Sequence, residues 1–194
     1  RRTFYTAEVS PDAIAHGERH GAEIREISML GKLSIGYLAD VQEEPVFKES
    51  EKHVAAMIYT TGTTGNPKGV MLSHQNLLFI SETTKDVRGF TPDDYVYLTL
   101  PLSHIFGLSS SLLTSLYAGA TLHLVPGFNA AHLFKTLPKG ISVFQGVPAM
   151  HSSLLEYAEI NKVEIDAPRL RYLSSGGAPM DMDLKARVES TLGL

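Results

Sequence analysis

The chain has 194 residues, of which 43% are hydrophobic and 20% are charged, and its formal net charge is −4. This composition is typical of a soluble globular protein with a core, and the acidic balance without a run of lysines or arginines excludes a nucleic-acid partner. Because no cysteine is present, the sequence excludes a disulfide scaffold, a zinc–thiolate site and a cysteine nucleophile, and it favours a cytoplasmic location.

The first third of the chain mixes short helices and strands. The pattern predicts a helix over residues 11–21, a strand over 22–28 and a second helix over 32–41. Residues 42–52 are charged, contain a proline and are predicted to form a loop. The apolar run "HVAAMIYT" that follows is predicted to be a buried strand. No long apolar segment follows the N-terminal arginines, so no signal peptide is predicted.

From residue 73 onward, strands and helices alternate regularly. Ser73 is placed to cap a helix that runs to about residue 87, and Gly89 is placed to end it. This alternation predicts an α/β fold with a mostly parallel sheet covered by helices. Later strands are predicted over residues 94–101, 120–125, 141–147 and 170–175, and later helices over 107–117, 129–137, 148–160 and from 180.

Residues 95–134 contain no Asp, Glu, Lys or Arg. Two interpretations are open, a membrane-spanning helix or a buried strand–helix–strand of the α/β core. Pro101, Pro126 and several polar residues interrupt the run. We therefore expect a buried core segment and no transmembrane segment.

Four segments follow directly on predicted strands, namely residues 60–69, 101–107, 145–148 and 174–179. Ligands of open parallel sheets bind at the carboxyl ends of the strands. We therefore expect these four segments to form one ligand site.

The most unusual segment is "YTTGTTGNPKG", residues 59–69, with four threonines, three glycines and one lysine. Glycines let backbone amides turn toward a common point, threonine hydroxyls add donors, and Lys68 adds a positive charge, a combination that suits a phosphate chain. A Walker A loop is excluded, because Pro67 precedes Lys68 and Gly69 stands where Ser or Thr would hold magnesium. On composition alone, a surface loop without a ligand is the alternative.

The order of these residues resembles the phosphate-binding loop of the adenylate-forming (AMP-binding) superfamily, most of all a bacterial-type acyl-CoA synthetase or fatty-acid–CoA ligase. The usual pattern has serine where Thr61 stands, and threonine keeps the hydroxyl. The resemblance implies a catalytic role for Lys68 at the β- and γ-phosphates of ATP. It implies phosphate binding by Thr60, Thr61, Gly62, Thr63, Thr64, Gly65, Lys68 and Gly69.

Three further segments resemble superfamily motifs, in the family order. "PLSHIFGL" implies that His104 positions the substrate carboxylate, as the second catalytic residue, and that Phe106 lines the acyl pocket. "FQGVPAM" implies a pocket wall formed by residues 146–148, and "YLSSGGAP" implies an adenine-side surface. Taken alone, these segments equally fit a core histidine, a strand–proline–helix junction and a tight turn. The pocket-wall and adenine-side residues are Gly146, Val147, Pro148, Ser175, Gly176, Gly177, Ala178 and Pro179.

The resemblance covers residues 54–194, with residues 1–50 as an α/β lead-in. It implies a central fragment of the N-terminal AMP-binding domain, without the C-terminal lid. The superfamily's magnesium-contacting Tyr-Gly-x-Thr-Glu motif is expected beyond residue 194, so no metal ligand is predicted within this chain.

The resemblance also implies a reaction for the parent protein. The parent would activate a carboxylic acid with ATP and Mg²⁺ to an acyl-adenylate, release pyrophosphate, and transfer the acyl group to coenzyme A. The uncharged pocket segments favour a fatty acid, and an aryl acid is the alternative. The isolated chain is expected to be inactive, either as a nucleotide-binding piece or as a folding core. An incomplete sheet would leave an edge through which a homodimer could form.

Overall fold

The computed structural model describes residues 2–6, 11–27, 31–37, 53–61 and 67–193. The chain divides into two compact units, residues 1–46 and 47–194. The first unit holds a three-stranded antiparallel sheet and helix α1. Its elements are β1 (Arg2–Thr6), α1 (Pro11–Arg19), β2 (Glu23–Ile27) and β3 (Gly31–Tyr37), with the strands in the order β1-β3-β2.

Helix α1 and strand β2 confirm two predicted elements of the first unit. The predicted helix over residues 32–41 is wrong, because residues 31–37 form the central strand and pair antiparallel with both neighbours. In this segment Leu33, Ile35 and Tyr37 alternate with Ser34 and Gly36, which is the period of two that a strand requires. The predicted loop over residues 42–52 lies outside the described residues.

The second unit begins with an antiparallel hairpin of β4 (Val54–Thr61) and β5 (Pro67–Ser73). Thr60 lies opposite Lys68, and Tyr59 lies opposite Gly69. The prediction of a buried strand is wrong, because β4 stands outside the parallel sheet and Tyr59 is 66% exposed. The segment expected to follow this strand, residues 60–69, is partly strand itself, since Thr60 and Thr61 pair with Lys68 and Pro67. The second strand, β5, continues after Lys68 through the apolar residues Val70, Met71 and Leu72. Residues 62–66 lie outside the described residues.

Helix α2 (His74–Arg88) confirms both predicted caps. The Ser73 hydroxyl accepts a hydrogen bond from the Asn76 backbone N–H, and the Asn76 side chain accepts one from the Ser73 N–H, both at 3.1 Å. Gly89 then ends the helix with φ at +62°. This capping box and glycine stop use only local chemistry, which explains why the helix bounds were predictable.

The main sheet has four parallel strands in the order β7-β6-β8-β9. It confirms the predicted α/β fold with helices over a parallel sheet. The strands are β6 (Tyr95–Leu98), β7 (Thr121–Leu124), β8 (Val143–Gly146) and β9 (Tyr172–Ser175). The helices are a π-helix (Phe106–Leu113), α3 (Thr114–Ala118), α4 (Ala130–Thr136) with a 3₁₀ turn (Leu137–Lys139), α5 (Pro148–Asn161) and α6 (Met182–Leu192).

Alternate strand residues supply two hydrophobic clusters, one on each face of the sheet. Tyr97 and Phe144 belong to the cluster that includes Leu133 of α4, while Val96 and Val143 belong to the other. Because both faces are covered, the strands carry no charge, which accounts for the uncharged run over residues 95–134. Among the described residues, no helix is long and apolar enough to cross a membrane.

A buried carboxylate holds the amino end of the sheet. Asp94 is 2% exposed and accepts hydrogen bonds from Arg171 Nε at 2.9 Å, the Ser142 hydroxyl at 2.7 Å and the Thr91 N–H at 2.8 Å. Burial alone would raise the pKa of this carboxyl, but these donors and the Arg171 charge outweigh burial and hold the pKa below its ordinary value. The network fixes the residues just before β6, β8 and β9 relative to one another.

Candidate functional site

Three of the four predicted site segments meet at the carboxyl end of the parallel sheet. The Gly176 N–H donates to the Gly146 carbonyl at 3.1 Å, which joins the segments after β8 and β9. The ring of Phe106 lies on Gly176, where a Cβ would stand 2.9 Å from Phe106 Cε1. A Cβ on Gly177 would lie 3.5 Å from Val147 Cγ1. The glycines therefore let the predicted pocket wall and adenine-side segment approach Phe106 closely.

The segment between β6 and the π-helix is a tight turn centred on His104. The His104 N–H donates to the Pro101 carbonyl at 3.1 Å, and the Phe106 N–H donates to His104 Nδ1 at 3.1 Å. Because Nδ1 accepts this bond, the neutral ring carries its hydrogen on Nε2. The His104 side chain is exposed. It is thus held in one tautomer, with a donor available to a ligand.

Gly107 is a site residue that the sequence interpretation missed. A Cβ at this position would stand 2.2 Å from the Pro101 carbonyl oxygen and 2.9 Å from that of Leu100. Real Cβ atoms do not come this close to backbone atoms, so any side chain here would displace the turn. A glycine three residues after the motif histidine was the available signal.

The helix that follows this turn has π geometry over Phe106–Leu113. The Thr114 N–H bonds back to the Ser109 carbonyl, and the Thr114 hydroxyl donates to that same carbonyl at 2.9 Å. The sequence predicted a helix here, and the structure adds that its first two turns are wider. π-Helical segments are rare and occur frequently at functional sites.

Within the described residues, buried side-chain polar atoms without a hydrogen-bond partner are confined to this end of the sheet. Buried polar groups are nearly always bonded, so their concentration in one place indicates a functional region. Among these residues only Ser175 was a predicted site residue, because the burial of a serine, threonine or histidine side chain cannot be recognised from the sequence. They are Thr99 Oγ1, Ser109 Oγ, His151 Nδ1, Ser174 Oγ and Ser175 Oγ.

His151 lies in the first turn of α5, directly beneath the site, and was also missed. It is 1% exposed, its Nε2 lies 3.2 Å from the Ser174 carbonyl, and its ring meets Phe144 edge to face. A Cβ on Gly146 would stand 3.3 Å from the His151 ring. Burial lowers the pKa of this histidine, and the Ser174 carbonyl opposes that shift. A histidine within an otherwise apolar helix start was the only sequence signal.

The fourth segment, with the predicted phosphate ligands, lies at the tip of the β4–β5 hairpin. Thr60 and Lys68 form a cross-strand pair and are both exposed, and Gly69 packs under Met57 and Tyr59. Thr61 pairs with Pro67, and Gly62, Thr63, Thr64 and Gly65 lie outside the described residues. No hydrogen bond or ion pair joins Lys68 to His104 in the part of the chain that the structure describes.

A cavity connects the hairpin side of the unit to the His104 turn. It has a volume of about 770 Å³ and is lined by Leu72 of β5, by residues of α2, and by Ile105 and Ser109. Leu72 of the hairpin and Ile105 after the His104 turn therefore face a common space.

The predicted adenine-side residues occupy the end of β9 and the turn after it. Ser175 is the last strand residue, and Gly177 has φ at +79°, which favours glycine. Ala178 and Pro179 are exposed, and Pro148 begins α5 as predicted.

The chain belongs to the AMP-binding enzyme family, since the profile of that family matches residues 6–194. A 4-coumarate–CoA ligase from Humulus lupulus is 32% identical over 161 residues, which are 79% of this chain and 29% of that enzyme. A mitochondrial malonate–CoA ligase from Homo sapiens is 29% identical over 172 residues, which are 81% of this chain and 30% of that enzyme.

A solved structure gives the same result at the level of the fold. ATP-bound MatB from Rhodopseudomonas palustris superposes with a TM-score of 0.64 at 30% identity, over 77% of this chain and 29% of that one. The resemblance to the adenylate-forming superfamily is thereby confirmed. The chain spans less than a third of the length of each of these three proteins.

Proposed function

We propose that the protein to which this chain belongs activates a carboxylic acid with ATP, forming an acyl-adenylate and pyrophosphate, and then transfers the acyl group to coenzyme A. The observation that carries this proposal is the convergence of Phe106, Gly146 and Gly176 at the carboxyl end of the sheet. Two relatives named above are CoA ligases, and a third protein was solved with ATP bound, which supports the same reaction class.

Lys68 is proposed to bind the β- and γ-phosphates of ATP. Attack on the α-phosphate increases negative charge on the phosphate oxygens, and a fixed cation with backbone and hydroxyl donors stabilises that charge. The exposed pair of Thr60 and Lys68 at the hairpin tip supports this role, because both side chains are available to a ligand. Thr61, Gly62, Thr63, Thr64, Gly65 and Gly69 are proposed to complete the phosphate site.

His104 is proposed to orient the substrate carboxylate. With Nδ1 engaged by the Phe106 N–H, the ring offers Nε2–H as a hydrogen-bond donor. A carboxylate is already ionised at neutral pH, so it needs positioning and not deprotonation. Attack then breaks the bond between the α-phosphorus and its bridging oxygen, and pyrophosphate leaves.

A fatty acid is the proposed acid, with an aryl acid as the alternative. The walls supplied by Phe106, Gly146, Val147 and Pro148 are apolar, which suits a hydrocarbon chain. The segments over residues 101–108, 144–150 and 172–180 contain no Lys, Arg, Asp or Glu. They offer no charged partner for a second carboxylate or for an amino-acid ammonium group.

The adenine is proposed to lie on Ser175, Gly176, Gly177, Ala178 and Pro179. Two consecutive glycines allow a flat ring to approach the backbone closely. The chemistry of ATP also requires Mg²⁺ in this proposal. The described residues contain no group of three or more His, Cys, Asp or Glu side chains that could hold a metal ion. No step is therefore assigned to a metal held by this chain.

The isolated chain of residues 1–194 is proposed to bind nucleotide without turnover, as a central fragment of the N-terminal AMP-binding domain. A cytoplasmic location and a homodimer through a sheet edge also remain predictions. The human relative is mitochondrial by name, so location does not follow from family. In the described sheet, β7 and β9 are the edge strands at which such pairing would occur.

The decisive experiment is ATP–pyrophosphate exchange by the full-length protein across a panel of fatty, aryl, dicarboxylic and amino acids. We expect exchange with fatty acids, and a loss of about 100- to 1,000-fold in Lys68→Ala. Lys185→Ala is the matched control, because this exposed lysine lies on α6 and forms a surface ion pair with Glu189. Exchange with amino acids alone would refute the proposed acid class, and full activity in Lys68→Ala would refute its role.

A second measurement concerns the chain by itself. An ATP analogue that cannot be hydrolysed should bind the isolated chain, and Lys68→Ala should weaken that binding. If both forms fail to bind it, the isolated chain is only a folding core.

A further inference from the structure

The amide of Gln145 is the most fully bonded buried polar side chain near the site. Gln145 is 1% exposed and immediately precedes Gly146 on β8. With its oxygen turned toward Arg88, the oxygen accepts from Arg88 Nη1 at 2.5 Å. The amide nitrogen then donates to the Ser111 hydroxyl at 2.6 Å and to the Ser110 carbonyl at 3.0 Å. Both donors and the acceptor of this amide are therefore used.

These bonds join three elements that carry the site. Arg88 is the last residue of α2, the helix that continues from the phosphate hairpin. Ser110 and Ser111 lie in the middle of the π-helix, which starts at Phe106. The Arg88 guanidinium also lies over the Tyr172 ring at 5.8 Å, at the beginning of β9. Gln145 is thus at the junction of α2, the π-helix and the strand that ends at Gly146.

Side chains bond to the π-helix in addition to its own backbone hydrogen bonds. Helices with an i→i+5 pattern are rare and short. From α3, the Ser115 hydroxyl donates to the Ser111 carbonyl at 2.6 Å. Gln145 adds one bond to a side chain and one to a main-chain carbonyl, and it does so from the strand beneath.

We propose that Gln145 is a positioning residue for the acid-binding end of the site. Held by Arg88, its amide fixes the register of the π-helix. It thereby keeps Phe106 on Gly176 and keeps His104 where a carboxylate would bind. Gln145 contacts no reacting group itself. The inference rests on the proposed function, since it assigns the purpose of this network to binding of the acid.

Two substitutions distinguish the hydrogen bond that the amide oxygen accepts from the two that the amide nitrogen donates. Gln145→Glu keeps an oxygen for Arg88 but loses both donors to the π-helix, whereas Gln145→Met loses all three bonds at similar volume. Both variants of the full-length protein should raise KM for the acid by about 3- to 30-fold in the exchange assay. KM for ATP should rise less than KM for the acid, because the proposed phosphate residues lie on the hairpin and not on the π-helix.

The control is Ile141→Val, which removes one methyl group from a fully buried residue in the cluster that includes Tyr97 and Phe144. It is expected to lower thermal stability and to leave both KM values unchanged. If the two Gln145 variants also leave both KM values unchanged, or change them equally, Gln145 is only a structural residue. Should Gln145→Met fail to fold, Ser111→Ala removes a single partner of the amide and replaces it in the test.

Hydrogen exchange separates this inference from the proposed function. If the unsubstituted protein shows no exchange activity with any acid, the proposed function fails. In that case, hydrogen exchange at the backbone amides of residues 106–113 still tests whether Gln145 positions the π-helix. They should lose protection in Gln145→Glu and Gln145→Met and keep it in Ile141→Val. Unchanged protection in the Gln145 variants would overturn the inference.

Discussion

Gly176→Ala tests whether Phe106 and the glycines after β9 share one surface. The new methyl carbon would stand 2.9 Å from Phe106 Cε1 and 3.2 Å from Cζ, whereas unstrained carbon atoms lie about 3.5–4.0 Å apart. The ring must therefore retreat by about 0.5–1 Å. Overpacking of this kind costs about 1–3 kcal/mol. For a chain of this length the loss corresponds to about 2–12 °C in Tm.

Phe106→Leu provides the test of cause, because leucine lacks the two ring carbons that the methyl would meet. Urea unfolding of the two single variants and the double variant measures their coupling. We expect the double variant to be more stable than the sum of the single losses by about 1 kcal/mol or more. Gly127→Ala is the control, since a Cβ there meets nothing within 4 Å. Losses that simply add would show that the ring does not lie on Gly176.

Three further predictions concern stability. Asp94→Asn should cost about 3 kcal/mol by urea unfolding, at the low end for a broken buried pair because the Arg171 side chain is 41% exposed. Since the folded pKa of Asp94 is lowered, its contribution is present above the unfolded pKa of about 3.9 and is lost as pH falls below that value. If the free energy of unfolding of Asp94→Asn fell with decreasing pH as steeply as that of the unsubstituted protein, this prediction would be refuted. His151 has a lowered folded pKa, so stability should fall as pH drops below about 6.5. His151→Leu should reduce that slope in unfolding titrations, with the part due to His123, whose pKa burial also lowers, remaining. Gly107→Ala should cost about 3 kcal/mol or more in thermal unfolding, because its methyl group would meet backbone atoms that cannot rotate away; a neutral result would refute the close approach to Pro101.

The elements that were predicted well are those with chemical start and stop signals. Ser73 and Gly89 cap α2, Asn129 accepts from the His132 N–H at the start of α4, and Pro148 opens α5. Each signal acts within one helical turn, so it can be interpreted from neighbouring residues alone. The carboxyl ends of β8 and β9 were placed correctly for the same reason, and they bring Gly146 and Gly176 together as expected.

The features that were missed depend on residues far apart in the chain. Strand β5 is defined by pairing with β4, and the threonine–glycine composition of the hairpin tip hid it. The π geometry of Phe106–Leu113 is accompanied by bonds from Gln145, 34 residues after Ser111. His151 became part of the site only because α5 places it under Gly146 and Ser174. No local pattern carries that information, so burial and pairing had to come from the structure.

The two ends of the parallel sheet are built for different purposes. At the amino end, Asp94 is satisfied by Arg171, Ser142 and Thr91, and its carboxylate joins the residues that precede three strands. At the carboxyl end, glycines take the place of side chains, and hydroxyls such as that of Ser174 are buried without a partner. Such a surface is less stable than a filled and bonded one, so it persists where a ligand uses it. Substitutions at the amino end should therefore change unfolding without changing ligand affinity, while those at the carboxyl end, such as Gly176→Ala, should change both.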